Sequence, residues 1–237
     1  MKQKAIHPAM QPYLDGQVIL INKPLQWTSF DAVKKVRILT GISKTGHAGT
    51  LDPLATGLLI ICTGAFTKKL NEYMGMQKEY TGCIALGATT ASFDLESRPE
   101  NFCDVNNISA ENIYEATKKF TGLIEQMPPQ YSAIKKDGIP AYILARKGEQ
   151  VEMKTRQVTI SKFEIEKIEM PKVYFRVQCS TGTYIRSLAN DFGKELGVGG
   201  HLVTLCRTMI GEFTVEDAFS IEGFENKIKE IKQISEG

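Results

Sequence analysis

Two kinds of hydrophobic periodicity alternate along this chain of 237 residues. Val18–Ile21 and Leu58–Cys62 are short apolar runs typical of buried strands. From residue 173 to 180 apolar and polar positions alternate, which predicts a strand with one packed face. Apolar side chains three and four positions apart predict amphipathic helices. The clearest stripes are Phe30, Val33, Val36 and Leu39; Ile113, Ala116, Thr117 and Phe120; and Ile185, Leu188, Ala189, Phe192 and Leu196.

This mixture of elements predicts an α+β or mixed α/β fold, with a central, largely antiparallel sheet flanked by helices. Ser29 is the predicted N-cap of the first helix and Ser109 that of the second. Residues 1–220 are expected to form one domain that carries the site. Residues 221–237 are rich in lysine and glutamate and predict a peripheral C-terminal helix or tail.

Composition narrows the class of protein. A hydrophobic fraction of 42% is enough for a core in one large domain. No apolar run approaches the roughly 20 residues of a membrane span, and the first residues lack the apolar core of a signal peptide, so we expect a cytoplasmic protein. The five cysteines are scattered and the chain has three histidines, which favours neither a disulfide framework nor a metal site.

The net charge of +2 is too small to indicate a nucleic-acid partner by itself. Local clustering is more informative, because the region from about 126 to 156 has more basic than acidic side chains, interleaved with Tyr131 and Tyr142. The basic residues are Lys135, Lys136, Arg146, Lys147, Lys154 and Arg156. A basic protruding loop of this kind suits a nucleic-acid backbone. A plain surface excursion fits the composition equally well.

The segment Gly46–Gly57, which reads GHAGTLDPLATG, surrounds one carboxylate with glycines. Asp52 precedes a proline, and this predicts that it caps a helix beginning at Pro53. The glycines around His47 would let the backbone approach a bulky ligand closely. A purely structural capping role for Asp52 is the alternative. The overlapping Gly41–Gly46 has the glycine spacing of a phosphate loop but lacks its lysine and hydroxyl residue, which argues against a nucleoside triphosphatase.

Four motifs, taken in order, resemble the TruB family of tRNA pseudouridine synthases. They are Gly46–Gly57, Lys78–Tyr80, Gly182–Arg186 and Leu205–Thr208, and the resemblance runs from about Val18 to about Gly211. It implies a pseudouridine synthase fold and isomerisation of uridine 55 in the tRNA T loop, with base flipping and neither cofactor nor metal. It also implies a monomer that binds the T stem-loop of tRNA and requires no protein partner.

The resemblance also assigns the site residues. The catalytic ones are Asp52, Tyr80 and Arg186, and the substrate-binding ones are His47, Tyr184, Leu205 and Lys23. Asp52 must be ionised to act on the sugar or the base, and Arg186 is its expected partner because a cation near a helix start gains nothing from the helix dipole. Tyr80 offers a face for stacking and a hydroxyl for proton relay. Without the resemblance, Tyr80, Leu205 and His47 would be ordinary structural residues.

Members of this family often carry a further RNA-binding PUA domain. The residues that follow Gly211 are too few to form such a domain. We therefore expect a short, stand-alone bacterial form that binds tRNA through its catalytic domain and basic loop. Two other functions remain open. The chain could be an RNA-binding or tRNA-folding protein whose benefit does not need catalysis, or a pseudouridine synthase for another RNA.

Overall fold

The computed structural model describes residues 6–132, 134–136, 138–149 and 151–235. The helices are α1 (Gln11–Asp15), α2 (Ser29–Thr40), α3 (Leu70–Gly75), α4 (Ala110–Lys119), α5 (Ala141–Arg146), α6 (Ile185–Glu195) and α7 (Ile221–Ile234). The strands are β1 (Val18–Lys23), β2 (Thr45–His47), β3 (Ala55–Thr63), β4 (Lys78–Leu86), β5 (Gly122–Gln126), β6 (Lys135–Lys136), β7 (Ile139–Pro140), β8 (Arg156–Glu169), β9 (Lys172–Cys179), β10 (Gly200–Ile210) and β11 (Phe213–Thr214). Pro8–Met10 and Gly64–Lys69 are 3₁₀ turns.

The chain divides into two compact units. The first unit comprises Met1–Glu79 and Cys206–Gly237, and the second unit comprises Tyr80–Leu205. The chain passes from one unit to the other within β4 and again within β10. The division expected from the sequence, at residue 220, stays a prediction.

In the first unit β3 is the central strand. It pairs antiparallel with β1 along one edge, while β2 and then β10 follow the other edge. Its side chains alternate between two separate hydrophobic clusters: Leu59 and Ile61 enter one, and Leu58, Ile60 and Cys62 enter the other. Because both faces are covered, β3 appears in the sequence as a continuous apolar run, as predicted.

Helices α2 and α7 pack in the cluster that contains Leu59. Phe224 and Ile228 of α7 are both 2% exposed there, so the C-terminal helix contributes to the core of the first unit. The predicted N-cap of α2 is wrong by one residue. Thr28 is the N-cap, and it forms a capping box with Asp31, because the Asp31 carboxylate three positions on accepts a hydrogen bond from the Thr28 nitrogen at 2.9 Å. The Ser109 N-cap of α4 is confirmed.

The second unit has the strand order β10-β4-β9-β8-β5, and β8 is antiparallel to both of its neighbours. The alternation predicted for β9 is confirmed, since Val173, Phe175 and Val177 are fully buried. Phe163 of β8 lies between Phe175 and Phe192 of α6, with ring centroids 6.1 and 5.4 Å away. The predicted class, mixed α and β with a largely antiparallel sheet, is therefore confirmed.

The region between β5 and β8 contains the short β6–β7 hairpin and α5. Its base is closed by the cross-strand pair of Gln126 and Arg156. Arg146 forms an ion pair with Glu96. Several residues that define the predicted basic loop lie outside what the structure describes: Asp137 entirely, and the side chains of Lys135, Lys136 and Tyr142. The RNA-binding role of this loop stays a prediction.

A close approach of β3 to β10 gives the first testable prediction. Gly57 has φ +101°, and a Cβ at this position would lie 2.4 Å from the carbonyl oxygen and 2.7 Å from the nitrogen of Arg207. We expect Gly57→Ala to lower the free energy of unfolding by at least about 2 kcal/mol, because backbone atoms must separate. Gly75→Ala is the control, since a Cβ there meets nothing within 4 Å. Urea denaturation measures both, and equal stability of the two variants would contradict the prediction.

Candidate active site

Asp52 lies half-buried in the turn that joins β2 to β3. The predicted helix at Pro53 is wrong. The carbonyl of Asp52 accepts a hydrogen bond from the nitrogen of Ala55 at 3.0 Å, which closes a turn over Pro53 and Leu54. β3 begins at Ala55, so strand pairing leaves no length for a helix. Pro53 therefore occupies the second position of a turn, where proline is common, as it also is at the start of a helix.

Two buried side chains from other parts of the first unit hold this turn. Arg207, 1% exposed, donates from Nε to the carbonyl of Leu58 at 2.8 Å and from Nη2 to the carbonyl of Gly49 at 3.1 Å. Ser29 Oγ accepts from the nitrogen of Leu51 at 2.8 Å and donates to its carbonyl at 3.1 Å. The backbone on both sides of Leu51 and Asp52 is therefore fixed by internal hydrogen bonds.

Lys23 ends β1 and is fully buried, close enough to Asp52 for their charges to interact. Its Nζ donates to the carbonyls of Pro24 at 3.0 Å and Trp27 at 2.7 Å. Burial lowers the pKa of Lys23 to about 8, Asp52 acts to raise this pKa, and Arg207 adds to the lowering. Lys23 is thus a buried cation whose pKa depends on the neighbouring Asp52 carboxylate.

His47 is the last residue of β2 and is half-buried. Burial lowers its pKa and the charge of Arg207 adds to this effect, while the backbone of Gly49 partly opposes it. The imidazole is consequently neutral at pH 7. Of the residues predicted for the site, the first unit therefore brings together Lys23, His47 and Asp52, with Arg207 among them.

Arg186, in the second unit, is the second residue of α6 and only 4% exposed. Its Nε lies 3.7 Å from Oδ2 of Asp94, which is also buried. The guanidinium donates from Nη1 to the carbonyl of Ser92 at 3.3 Å and from Nη2 to the carbonyl of Tyr131 at 2.8 Å. A carboxylate and two carbonyls thus offset part of the cost of burying this charge. The pairing of Arg186 with Asp52 stays a prediction.

The loop that carries Asp94 is itself tightly bonded. Ser92 Oγ donates to Asp94 Oδ1 at 2.6 Å and lies 2.7 Å from Ser97 Oγ. Phe93, between Ser92 and Asp94, has φ +64°. This backbone conformation is uncommon for a bulky residue and persists only where the surrounding structure requires it. The orientation of Asp94 toward Arg186 is therefore built into this loop.

Tyr184 occupies the N-cap position of α6. The Gln126 amide bonds both its backbone groups, accepting from the nitrogen at 2.7 Å and donating to the carbonyl at 3.0 Å. The Arg156 guanidinium lies 4.5 Å from the centre of its ring, at cation–π distance. The base of the region predicted as a basic loop thus contacts the residue two positions before Arg186.

Tyr80 and Leu205 lie on the neighbouring strands β4 and β10 of the second unit. Tyr80 is buried and Leu205 is half-buried. Sequence reasoning missed roles for three residues at the site: Ser29, Asp94 and Arg207. Arg207 lies inside a motif that carried the resemblance, but neither spacing nor periodicity indicated what its side chain contacts.

A metal centre and a membrane-spanning helix have no counterpart among the described residues. No group of three or more histidine, cysteine, aspartate or glutamate side chains in these residues is placed to hold a metal ion. Within the same part of the chain, no helix has both the length and the apolar character to cross a membrane.

Comparison with known proteins bears on what this arrangement is for. A family model described as the TruB family pseudouridylate synthase (N terminal domain) matches residues 37–185. The chain belongs to the TruB family. The residues matched include His47, Asp52, Tyr80 and Tyr184. Lys23, Arg186 and Leu205 lie outside the match.

Relatives of this TruB-family chain match over most of their length. The tRNA pseudouridine synthase B of Flavobacterium johnsoniae is 52% identical over 226 residues, which cover 92% of this chain and 99% of that protein. The protein of the same name from Phocaeicola vulgatus is 47% identical over 218 residues, covering 90% and 93%. Among solved structures, one chain in the crystal structure of a Cbf5-Nop10-Gar1 complex is 28% identical with a TM-score of 0.72. That match covers 92% of this chain and 56% of the other.

The buried lysine of this TruB-family chain gives a prediction on pH. Lys23 has a pKa of about 8 in place of 10.5, so between these values the unfolded chain binds a proton that the folded chain has released. The free energy of unfolding therefore gains a contribution that rises with pH across this window. We expect wild type to gain stability relative to Lys23→Met from pH 8 to pH 10.5, measured by urea denaturation.

The exposed Lys34→Met controls for the loss of a lysine from the same unit. A stability difference between wild type and Lys23→Met that stays constant or falls over this range would contradict the prediction.

Proposed function

We propose that this chain converts a uridine of tRNA into pseudouridine, and that the target is uridine 55 in the T loop. Family membership and the names of its relatives from Flavobacterium johnsoniae and Phocaeicola vulgatus support this proposal. The observation that carries it is the placement of Asp52. This carboxylate is half-buried on an internally bonded turn, inside the segment matched by the family model.

The reaction requires the uracil to leave its ribose through nitrogen, rotate and rejoin the same sugar carbon through a ring carbon. A carboxylate can assist as a nucleophile toward the sugar or the base, or as a base at the sugar. The target nucleotide must first leave the stack, because an enzyme cannot reach these atoms inside a folded RNA loop. A rigid turn that presents Asp52 is suited to each of these roles.

The other site residues have complementary roles in this proposal. Arg186 supplies the catalytic cation in this proposal, and Asp94 holds its guanidinium. Tyr80 stacks on the extruded base and relays a proton. Stacking on an aromatic ring contributes on the order of 1–3 kcal/mol, which offsets part of the cost of unstacking. The neutral ring of His47 fills the space that the base vacates.

The remaining predicted residues belong to substrate binding. Leu205 borders the uracil, Tyr184 supports the segment that carries Arg186, and Lys23 supports Asp52. The partner in this proposal is the T stem-loop of tRNA, whose backbone the basic loop from about 126 to 156 contacts. The chain acts as a monomer without a protein partner, and a tRNA substrate implies a cytoplasmic location.

The position of the modified nucleotide is the direct test. We expect the purified chain alone to convert uridine 55 of unmodified tRNA, because the site residues proposed for the chemistry all lie on this chain. Chemical mapping of pseudouridine along the tRNA measures this. An isolated T stem-loop should compete with full-length tRNA, and an unrelated stem-loop of equal length serves as the control.

Other outcomes of this experiment distinguish the alternatives. Modification at a different position, or preference for ribosomal RNA in direct competition, would assign the chain to another RNA target. Tight binding of tRNA without any pseudouridine would favour a folding or binding protein.

Removing the charge of Asp52 tests the proposed chemistry. We expect Asp52→Asn to abolish turnover while its affinity for the T stem-loop changes little, because the amide keeps the shape of the side chain but is neither a base nor a nucleophile. Turnover is measured by release of tritium from uracil C5, and binding by filter retention. Asp15→Asn, at an exposed carboxylate of the same unit, is the control. Normal turnover by Asp52→Asn would rule out Asp52 as the essential carboxylate.

A further inference from the structure

The segment that leads into α2, residues 26–29, is bonded to the Asp52 turn at two points. Ser29 Oγ accepts from the Leu51 nitrogen at 2.8 Å and donates to the Leu51 carbonyl at 3.1 Å. The nitrogen of Gln26 donates to the carbonyl of Pro53 at 2.8 Å. Asp52 is the residue between these two attachments. Its backbone is therefore fixed on both sides by one short segment that is more than 20 residues away in the sequence.

The Ser29 contact is buried and chemically specific. Ser29 and Leu51 are each 3% exposed, so water is not a ready substitute for the hydroxyl. A serine hydroxyl has one proton to donate and two lone pairs to accept, which lets a single side chain satisfy both backbone groups of Leu51. An alanine methyl can satisfy neither, and buried backbone groups left without partners are costly.

The sequence position of Ser29 does not account for this contact. Ser29 follows the N-cap, and the capping of α2 is performed by Thr28, whose Oγ1 accepts from the nitrogen of Asp31 at 3.1 Å. The Ser29 side chain is therefore available to the turn. Gln26, at the other attachment, has φ +66°, a conformation that a non-glycine residue keeps only when neighbouring contacts impose it. Gln26 and Ser29, the two ends of the segment, are thus both held in place by their bonds to the Asp52 turn.

We propose that Ser29 is a positioning residue, which sets the direction of the Asp52 carboxylate through the backbone of Leu51. The inference rests on the proposed function of Asp52. Ser29 contacts neither the substrate nor the reacting atoms in this proposal, and its effect passes through the two peptide units that meet at Leu51, the second of which leads to Asp52. A displacement of about 1 Å in a reacting group can lower a rate about 100-fold, so a small rotation of the Leu51–Asp52 peptide is sufficient.

Single-turnover kinetics on a T stem-loop RNA, with enzyme in excess, test the proposal. We expect Ser29→Ala to lower the rate constant of pseudouridine formation by about 10- to 100-fold, with little change in the dissociation constant for the same RNA. Ser29→Thr keeps the hydroxyl and should restore much of the rate. Ser29→Cys keeps the shape with only a weak sulfur donor and acceptor, so it tests the same contact if the alanine chain does not fold.

Thr28→Ala is the matched control. It removes the exposed N-cap of the same helix, one residue away, without removing a contact to the turn. We expect this variant to lose stability in urea denaturation while its single-turnover rate constant remains that of wild type. A purely structural role for Ser29 predicts instead that both variants behave alike.

The outcomes separate this inference from the proposed function. If the unsubstituted chain forms pseudouridine and folded Ser29→Ala or Ser29→Cys does so at the wild-type rate, the positioning role is overturned alone. If the rate constant of Ser29→Ala falls only in proportion to its unfolded fraction, the positioning role is overturned as well. If the unsubstituted chain forms no pseudouridine with any RNA tested, the proposed function fails, and the positioning role fails with it.

Discussion

Strand β3 is buried on both faces, and it begins only three residues after Asp52. The chain must therefore enter a covered strand through a turn in which Ala48 and Leu51 are buried. Buried backbone donors and acceptors need internal partners. The turn obtains them from distant parts of the first unit, namely the Arg207 guanidinium and the Ser29 hydroxyl. The same constraint that preserves the core thus fixes the backbone on either side of Asp52.

The buried cations follow a related principle. Lys23 and Arg207 in the first unit and Arg186 in the second each donate to backbone carbonyls, which offset part of the lost hydration. Carbonyl oxygens satisfy the donors but carry no net charge. The charge of Asp52 therefore still acts on Lys23, where it raises the pKa that burial lowers.

Arg186, in the second unit, is also held by internal hydrogen-bond and charge partners. Its partners come from the loop that holds Asp94 and from Tyr131, which follows β5. The strained Phe93 and the short Ser92 to Asp94 contact show that this loop has little freedom to rearrange. Groups that are held rigidly before a substrate arrives lose less free energy to reorganisation.

The sequence by itself determined the elements whose burial follows a simple period. The alternation in β9, the apolar run of β3 and the Ser109 start of α4 were predicted, because a side chain's face is fixed by its position within its own strand or helix. The motifs and their family resemblance also indicated Asp52. Where two local signals competed, the sequence did not predict the correct local structure. Asp52-Pro53 suits both a helix start and a turn, and pairing of β3 decided for the turn.

Only the tertiary structure decided what supports the carboxylate. Arg207 and Gly49 are 158 positions apart, Arg186 and Ser92 are 94 apart, and Ser29 and Leu51 are 22 apart. No periodicity relates such positions, because each contact depends on how several elements pack together. The sequence could indicate which acid carries the proposed chemistry, but its surroundings are set by long-range packing that no local pattern encodes.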